Sequence, residues 1–120
     1  MSEAFGKPYD LEERTFQFAN QVRSFVKRLP QTIANIEDIR QLIRASASVG
    51  ANYIEANEAL GKKDIKLHVR IARKESKESR FFLRLLDTGP DPDVTRERQA
   101  LIQESSELLK ILSAILRKSE

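Results

Sequence analysis

The sequence of 120 residues has no cysteine and no tryptophan, and only one histidine, His68. Without thiols there is no disulfide framework, no thiolate nucleophile and no cysteine-ligated metal. A lone imidazole, with no serine, cysteine or aspartate arranged beside it, argues against triad chemistry. Di-metal carboxylate bundles need Glu-x-x-His on two helices, whereas Ile65 stands three residues before His68. Gly61-Lys62-Lys63 lacks the rest of a phosphate-binding loop. The expectation is therefore no metal, no cofactor, no catalytic residue and no enzyme. No apolar run approaches the roughly 18–20 residues of a membrane span, and the opening MSEAFGKPYD has no apolar signal region. A soluble, cytoplasmic chain without a membrane partner is expected. Glycine and proline are also scarce, at four each, and aromatics make up 7%. Strand signals are correspondingly few.

Charge and helical periodicity are what the chain has in quantity. Charged residues are 32% of the sequence, 21 basic against 18 acidic, for a net charge of +3. So small an excess permits nucleic-acid binding only if the cations are clustered. The length fits one domain able to bury a core unaided. Residues 1–9 read as a polar leader and 10–118 as the domain.

Asp10, with Glu13 three residues on, resembles a capping box. Leu11, Thr15, Phe18, Val22, Phe25 and Leu29 then share one helical stripe, which Pro30 should end near Arg28 or Leu29. Thr32 and Asn35 are the two candidate caps of a second helix running to about Leu60. On it Ile36, Ile39, Ile43, Ala47, Gly50 and Ile54 share a face, with Leu42, Ser46, Tyr53 and Leu60 beside them. Gly50 in mid-helix points to close approach of a neighbouring helix or to a hinge. Gly61 should end this helix as a C′ glycine. Helix 3 should run from Lys63 or Asp64 to about Leu86, and Thr88–Asp93 is the strongest turn signal. Helix 4 should follow, capped by Asp91 or Asp93, with Val94, Leu101, Ser105, Leu108, Leu112 and Ile115 as its stripe. Four helices on three short connections predict an all-α, antiparallel up-down-up-down four-helix bundle. An open three-helix core with a detached fourth helix is the alternative.

Three side-chain sets stand out. Lys66, Arg70, Arg73, Lys77, Arg80 and Arg84 recur every four or three residues along helix 3. Such a basic line suits a phosphate backbone, and a solvated face paired with acids would look the same. No aromatic ladder runs with it, which disfavours sequence-specific reading of a single strand. Leu67, Ile71, Phe81 and Leu85 form an extra apolar flank, away from the basic line. A subunit interface or burial in a crowded bundle would each explain it. Arg44, Ser48, Asn52 and Glu55 on helix 2, with Glu75 and Glu78 on helix 3, suggest a structural polar network fixing helix register.

Taken together, these residues resemble a known family. The run Arg44-x-x-x-Ser48-Val49-Gly50-Ala51-Asn52-Tyr53-x-Glu55-Ala56-x-Glu58-Ala59, then Lys63-Asp64, Lys74-Glu75-x-x-Glu78 and Phe82-Leu83-x-Leu85, is similar to small bacterial bundle proteins. Some of these are encoded in intervening sequences of 23S rRNA genes and labelled S23 ribosomal proteins. They are related to the accessory variability protein of diversity-generating retroelements. The opening Asp10–Thr15 fits the same pattern. The resemblance implies a four-helix bundle, assembly into a ring-shaped homopentamer, no established enzymatic activity, and, in that relative, binding to nucleic acid and a reverse transcriptase. It favours the interface reading of the apolar flank but assigns the basic line no role residue by residue. The expected function is a non-enzymatic homo-oligomer binding RNA or DNA through helix 3. The alternative is a protein–protein adaptor or assembly scaffold.

Overall fold

Wherever apolar residues recur every three or four positions, the chain coils into α-helix. A computed structural model describes residues 8–119. It contains α1 (Pro8–Val26), α2 (Ile33–Glu58), α3 (Lys62–Leu85) and α4 (Pro92–Ser119), and no strand among the described residues. Three short connections make sequential neighbours antiparallel. α2 packs against α3, α3 against α4, and α1 closes the bundle against α2 and, less extensively, α4. The fourth helix is thus an integral wall rather than a detached element. The bundle measures 47 × 29 × 19 Å.

The boundaries follow from local chemistry. α1 begins at Pro8, two residues ahead of the expected Asp10; proline at the first helical position gives up no needed N–H. Most of the expected leader, residues 1–7, lies outside the described residues. Asp10 sits inside the first turn, and the Glu13 carboxylate accepts from Gln17 Nε2 rather than reaching back to a cap. α1 ends at Val26, and two i→i−3 bonds, Arg28 N–H to Phe25 O and Leu29 N–H to Val26 O, tighten the chain ahead of Pro30. Thr32 is the N-cap of α2, its hydroxyl accepting from the Asn35 N–H at 3.1 Å. Asp91 caps α4, its Oδ1 accepting from the Asp93 N–H at 2.9 Å, with Pro92 opening the helix. Gly61 departs from expectation. α2 ends at Glu58 with Ala59 as its C-cap in extended geometry, and Gly61, at φ −112°, is the N-cap of α3. No left-handed turn is needed there because the chain leaves α2 extended. Among the described residues the one left-handed glycine is Gly89, at φ 73°, in the α3–α4 turn.

The whole α1 stripe is buried. On α2 the buried face is rotated from the expected one, to Leu42, Ala45, Ser46, Val49, Gly50, Tyr53 and Ala56. Ile36 and Ile54 are exposed, and Leu60 is fully exposed. Small residues let α2 approach its neighbours: a Cβ at position 50 would lie 2.8 Å from Thr15 Oγ1. Five buried hydroxyls satisfy themselves on their own helices. Thr15, Ser46, Ser76, Ser79 and Ser105 each donate to a carbonyl three or four residues back. They therefore fill core positions without orphaned polar groups.

Asn35 closes one end of the bundle. Its side chain is 2% exposed. Nδ2 donates to Pro30 O at 2.9 Å and Asp87 O at 2.8 Å, while Oδ1 accepts from the Asp87 N–H at 3.0 Å. One amide thus joins the α1–α2 and α3–α4 connections.

Candidate nucleic-acid interface

The four-and-three spacing of cations on α3 comes from the sequence; which of them stay unpaired depends on the fold. Arg70, Lys77 and Arg84 are exposed, and Lys66 and Arg73 half-buried. Among the described residues, no carboxylate oxygen lies within 4.0 Å of any of these five. Arg80 differs. It turns toward α4, where Nη1 donates to Ser106 Oγ at 3.2 Å. It ties two helices together and is less available to a ligand than its neighbours.

The structure corrects one part of the sequence expectation. Leu67 and Ile71 do not lie apart from the basic line. They share an open groove of about 660 Å³ with Arg70, Arg73, Lys74 and Lys77 of α3 and Leu109 and Ser113 of α4. On a helix, residues three or four apart are neighbours. A flank one position round from the cations therefore meets them wherever side chains are long. The groove has an aliphatic floor and a rim of four cations. Farther along α3, Phe81 and Leu85 are exposed. Phe81 packs edge-on to Phe82, with ring centroids 5.2 Å apart and planes at 82°. A smaller cleft of about 280 Å³, lined by Arg84, Arg98, Gln99 and Ile102, continues the α3–α4 seam. Arg98 is partly committed there, donating from Nη1 to Leu86 O at 2.6 Å and so capping the end of α3.

On the α2 side of α3, charges are paired. Arg44 lies 3.1 Å from Glu78 and 3.6 Å from Glu75, and Lys74 bridges the same two carboxylates at 3.8 and 3.9 Å. Glu75 is buried, and its Oε1 has no hydrogen-bond partner. Asn52 donates to the Ser48 backbone carbonyl, and its Oδ1 lies 3.1 Å from His68 Nδ1. Glu55 is exposed and joins no ion pair or hydrogen bond among the described residues. The polar set thus divides into an Arg44–Glu75–Glu78–Lys74 cluster and a separate Asn52–His68 contact. Among the described residues no three His, Asp or Glu side chains cluster as metal ligands. No described helix is long and apolar enough to cross a membrane.

Two further features escaped sequence reasoning. Arg14 of α1 makes a two-pronged bond to Glu104 of α4, Nε to Oε2 at 2.7 Å and Nη2 to Oε1 at 2.9 Å. That bond raises the guanidinium pKa still further above its ordinary value, against the opposing effect of burial. Partners 90 residues apart carry no local spacing signal. The rotated α2 face also leaves a second groove, of about 330 Å³, between α1 and α2. Ala19, Ala47, Gly50 and Ala51 line it, with exposed Phe16 and Ile54 at its sides.

Comparison with known proteins adds a family. The sequence model described as 23S rRNA-intervening sequence protein matches residues 8–114. The fold is similar to the crystal structure of a protein with unknown function from the S23 ribosomal protein family of Bacteroides thetaiotaomicron VPI-5482. That likeness has a TM-score of 0.77 at 24% identity and covers 92% of this chain and 97% of that one. No curated protein matches the chain.

Proposed function

The chain belongs to the 23S rRNA-intervening sequence protein family, and we propose that it is a non-catalytic, homo-oligomeric bundle that binds RNA or DNA through α3. One observation carries this reading. Lys66, Arg70, Arg73, Lys77 and Arg84 lie along one helix with no carboxylate at ion-pair distance among the described residues. The acids of the same helix near its middle, Glu75 and Glu78, are neutralised on the α2 side. Unpaired cations in a row gain most from a polyanion, because each phosphate contact releases condensed counterions.

Assembly needs apolar surface. Among the described residues, exposed Ile33, Ile36 and Leu60 lie at the ends of α2, and the other five large exposed apolar side chains fall into two sets. Leu67, Phe81 and Leu85 stand among the α3 cations, whereas Phe16 and Ile54 stand at the α1–α2 groove. Burying the α3 set in a subunit contact would desolvate cations that lack partners, at considerable cost. We therefore assign assembly to the α1–α2 face and ligand binding to α3. This revises the expectation that Leu67, Ile71, Phe81 and Leu85 form the subunit interface.

The test is charge reversal at Arg73→Glu and Lys77→Glu. Each should weaken nucleic-acid binding about tenfold or more and flatten its salt dependence by about one phosphate contact. Unchanged affinity in both variants overturns the reading. Light scattering on nuclease-treated protein tests assembly. A mass of several chains that falls in Phe16→Ser or Ile54→Ser supports the α1–α2 contact, and a monomeric wild type removes it. The adaptor reading draws on the aliphatic floor of the α3–α4 groove, which would suit an acidic amphipathic helix. A tightly bound protein recovered after nuclease treatment, with no affinity for nucleic acid, would favour it.

A further inference from the structure

We infer that the α3 surface takes single-stranded nucleic acid, with an unpaired base stacked on Phe81 and the adjoining phosphates held by Lys77 and Arg84. This rests on the nucleic-acid reading above and gives it a ligand class. Phe81 is 54% exposed in the midst of a basic face, a costly place for an idle aromatic ring. Lys77 stands four residues before it and Arg84 three after, so both cations are its neighbours on the helix. They lie about 10 Å apart along the axis, one on each side of the ring. Neither has a carboxylate within 4.0 Å among the described residues. Glu78, three residues before Phe81 and turned to the α2 side, is paired with Arg44 at 3.1 Å and Lys74 at 3.8 Å.

The ring is also held in place. Phe82 packs perpendicular to it, 5.2 Å between centroids, and is itself packed against the core. A pre-ordered aromatic loses little freedom when a base stacks on it. A duplex would use the cations but not the ring, because its base faces are already stacked on one another. A single strand uses both: its phosphates follow the cations toward Arg73 and Arg70 in the groove, and a base covers Phe81. One platform, rather than a ladder, gives preference for unpaired strands without sequence reading.

The experiment measures fluorescence anisotropy with labelled oligo(dT), oligo(U) and an oligo(dT)·oligo(dA) duplex of equal length, across a salt series. The proteins are wild type, Phe81→Leu, Phe81→Trp and Lys77→Glu, each with its mass checked by light scattering. Wild type should prefer the single strands. Phe81→Leu should weaken single-strand binding by at least about fivefold, the lower end of what one stacked base contributes, and Phe81→Trp should restore it. Duplex affinity, salt slope and mass should not change in Phe81→Leu. Single-strand binding by Phe81→Leu equal to wild type, a matching loss on the duplex, a wild-type preference for duplex, or a change of mass would each overturn the inference. If Lys77→Glu loses affinity while Phe81→Leu does not, the nucleic-acid reading stands and only the stacking role falls. If wild type binds none of the probes, both fall. The DNA and RNA strands separate a preference for one sugar from stacking itself.

Discussion

The hydroxyl of Thr15 occupies the space that a side chain at Gly50 would need: a Cβ there would lie 2.8 Å from Thr15 Oγ1 and 3.2 Å from its Cβ. Alanine ordinarily improves a helix interior over glycine by about 1 kcal/mol. Here that gain should be reversed, since overpacking costs about 1–3 kcal/mol. Thr15 could swing aside only by giving up its bond to Glu12 O. We expect Gly50→Ala to lower stability by about 1 kcal/mol or more in denaturant unfolding. Thr15→Ala combined with Gly50→Ala should be more stable than the two single effects added together. A stabilised Gly50→Ala protein would contradict the close approach of α1 and α2.

Asn35→Ala removes one side chain but strands Pro30 O, Asp87 O and the Asp87 N–H. Each buried polar group left without a partner costs about 1–3 kcal/mol. The expected loss, after water reaches some of them, is about 2–4 kcal/mol. Asn35→Asp keeps the acceptor but turns an oxygen toward two carbonyls, and should not rescue. Hydrogen exchange at Asp87 should accelerate in both variants.

Burial pushes the Tyr53 phenol above its ordinary pKa; a hydrogen bond with Asn57 opposes this and the Glu12 charge adds to it. With the folded value raised, the stabilising contribution is fully present below the unfolded tyrosine's pKa of about 10. As pH rises through and beyond that value, the unfolded chain ionises first and holds fewer protons, so stability falls. Groups common to both proteins cancel in a comparison of wild type with Tyr53→Phe. The variant should show the shallower loss of stability above about pH 10. Equal slopes would mean that the phenol titrates alike in both states.

Arg80 and Lys77 belong to the same basic line, yet only Arg80 is tied to α4, through Ser106. Lys77→Ala should reduce the salt slope of binding by about 0.7–0.9, as expected for one lost phosphate contact. Arg80→Ala should change the slope less and lower the melting temperature more. A salt series on both variants, with thermal unfolding, checks this.

The helices were legible because a 3.6-residue period leaves little ambiguity when apolar residues are long and regularly spaced. The α1 stripe from Leu11 to Leu29 is buried as the spacing predicts. α2 was harder. Its isoleucines advertise a face at Ile36 and Ile54, but the bundle buries the face of Ala45, Ser46, Val49 and Gly50. Close packing selects small side chains, and hydrophobicity alone cannot register that preference. On α3 the cations could be placed on one line from sequence. Their lack of partners could not, because pairing depends on which acids the fold brings near. Arg14 and Glu104 show the converse, a pair that forms across 90 residues without any motif. The role of Gly61 is ambiguous in the sequence because a glycine between two helices serves equally as the end of one or the start of the next.

The amide of Asn35 fastens the start of α2 to Asp87, two residues past the end of α3, while the peptide through Ala59–Gly61 joins their other ends. α2 and α3 are therefore clasped top and bottom, like the two long sides of a picture frame. α1 and α4 lean on that frame, each hinged to it at one end only. Breathing of this molecule should begin with its outer panels, α1 first, since α1 packs less extensively on its neighbours than any other helix does. The α3 surface would keep its shape while they move.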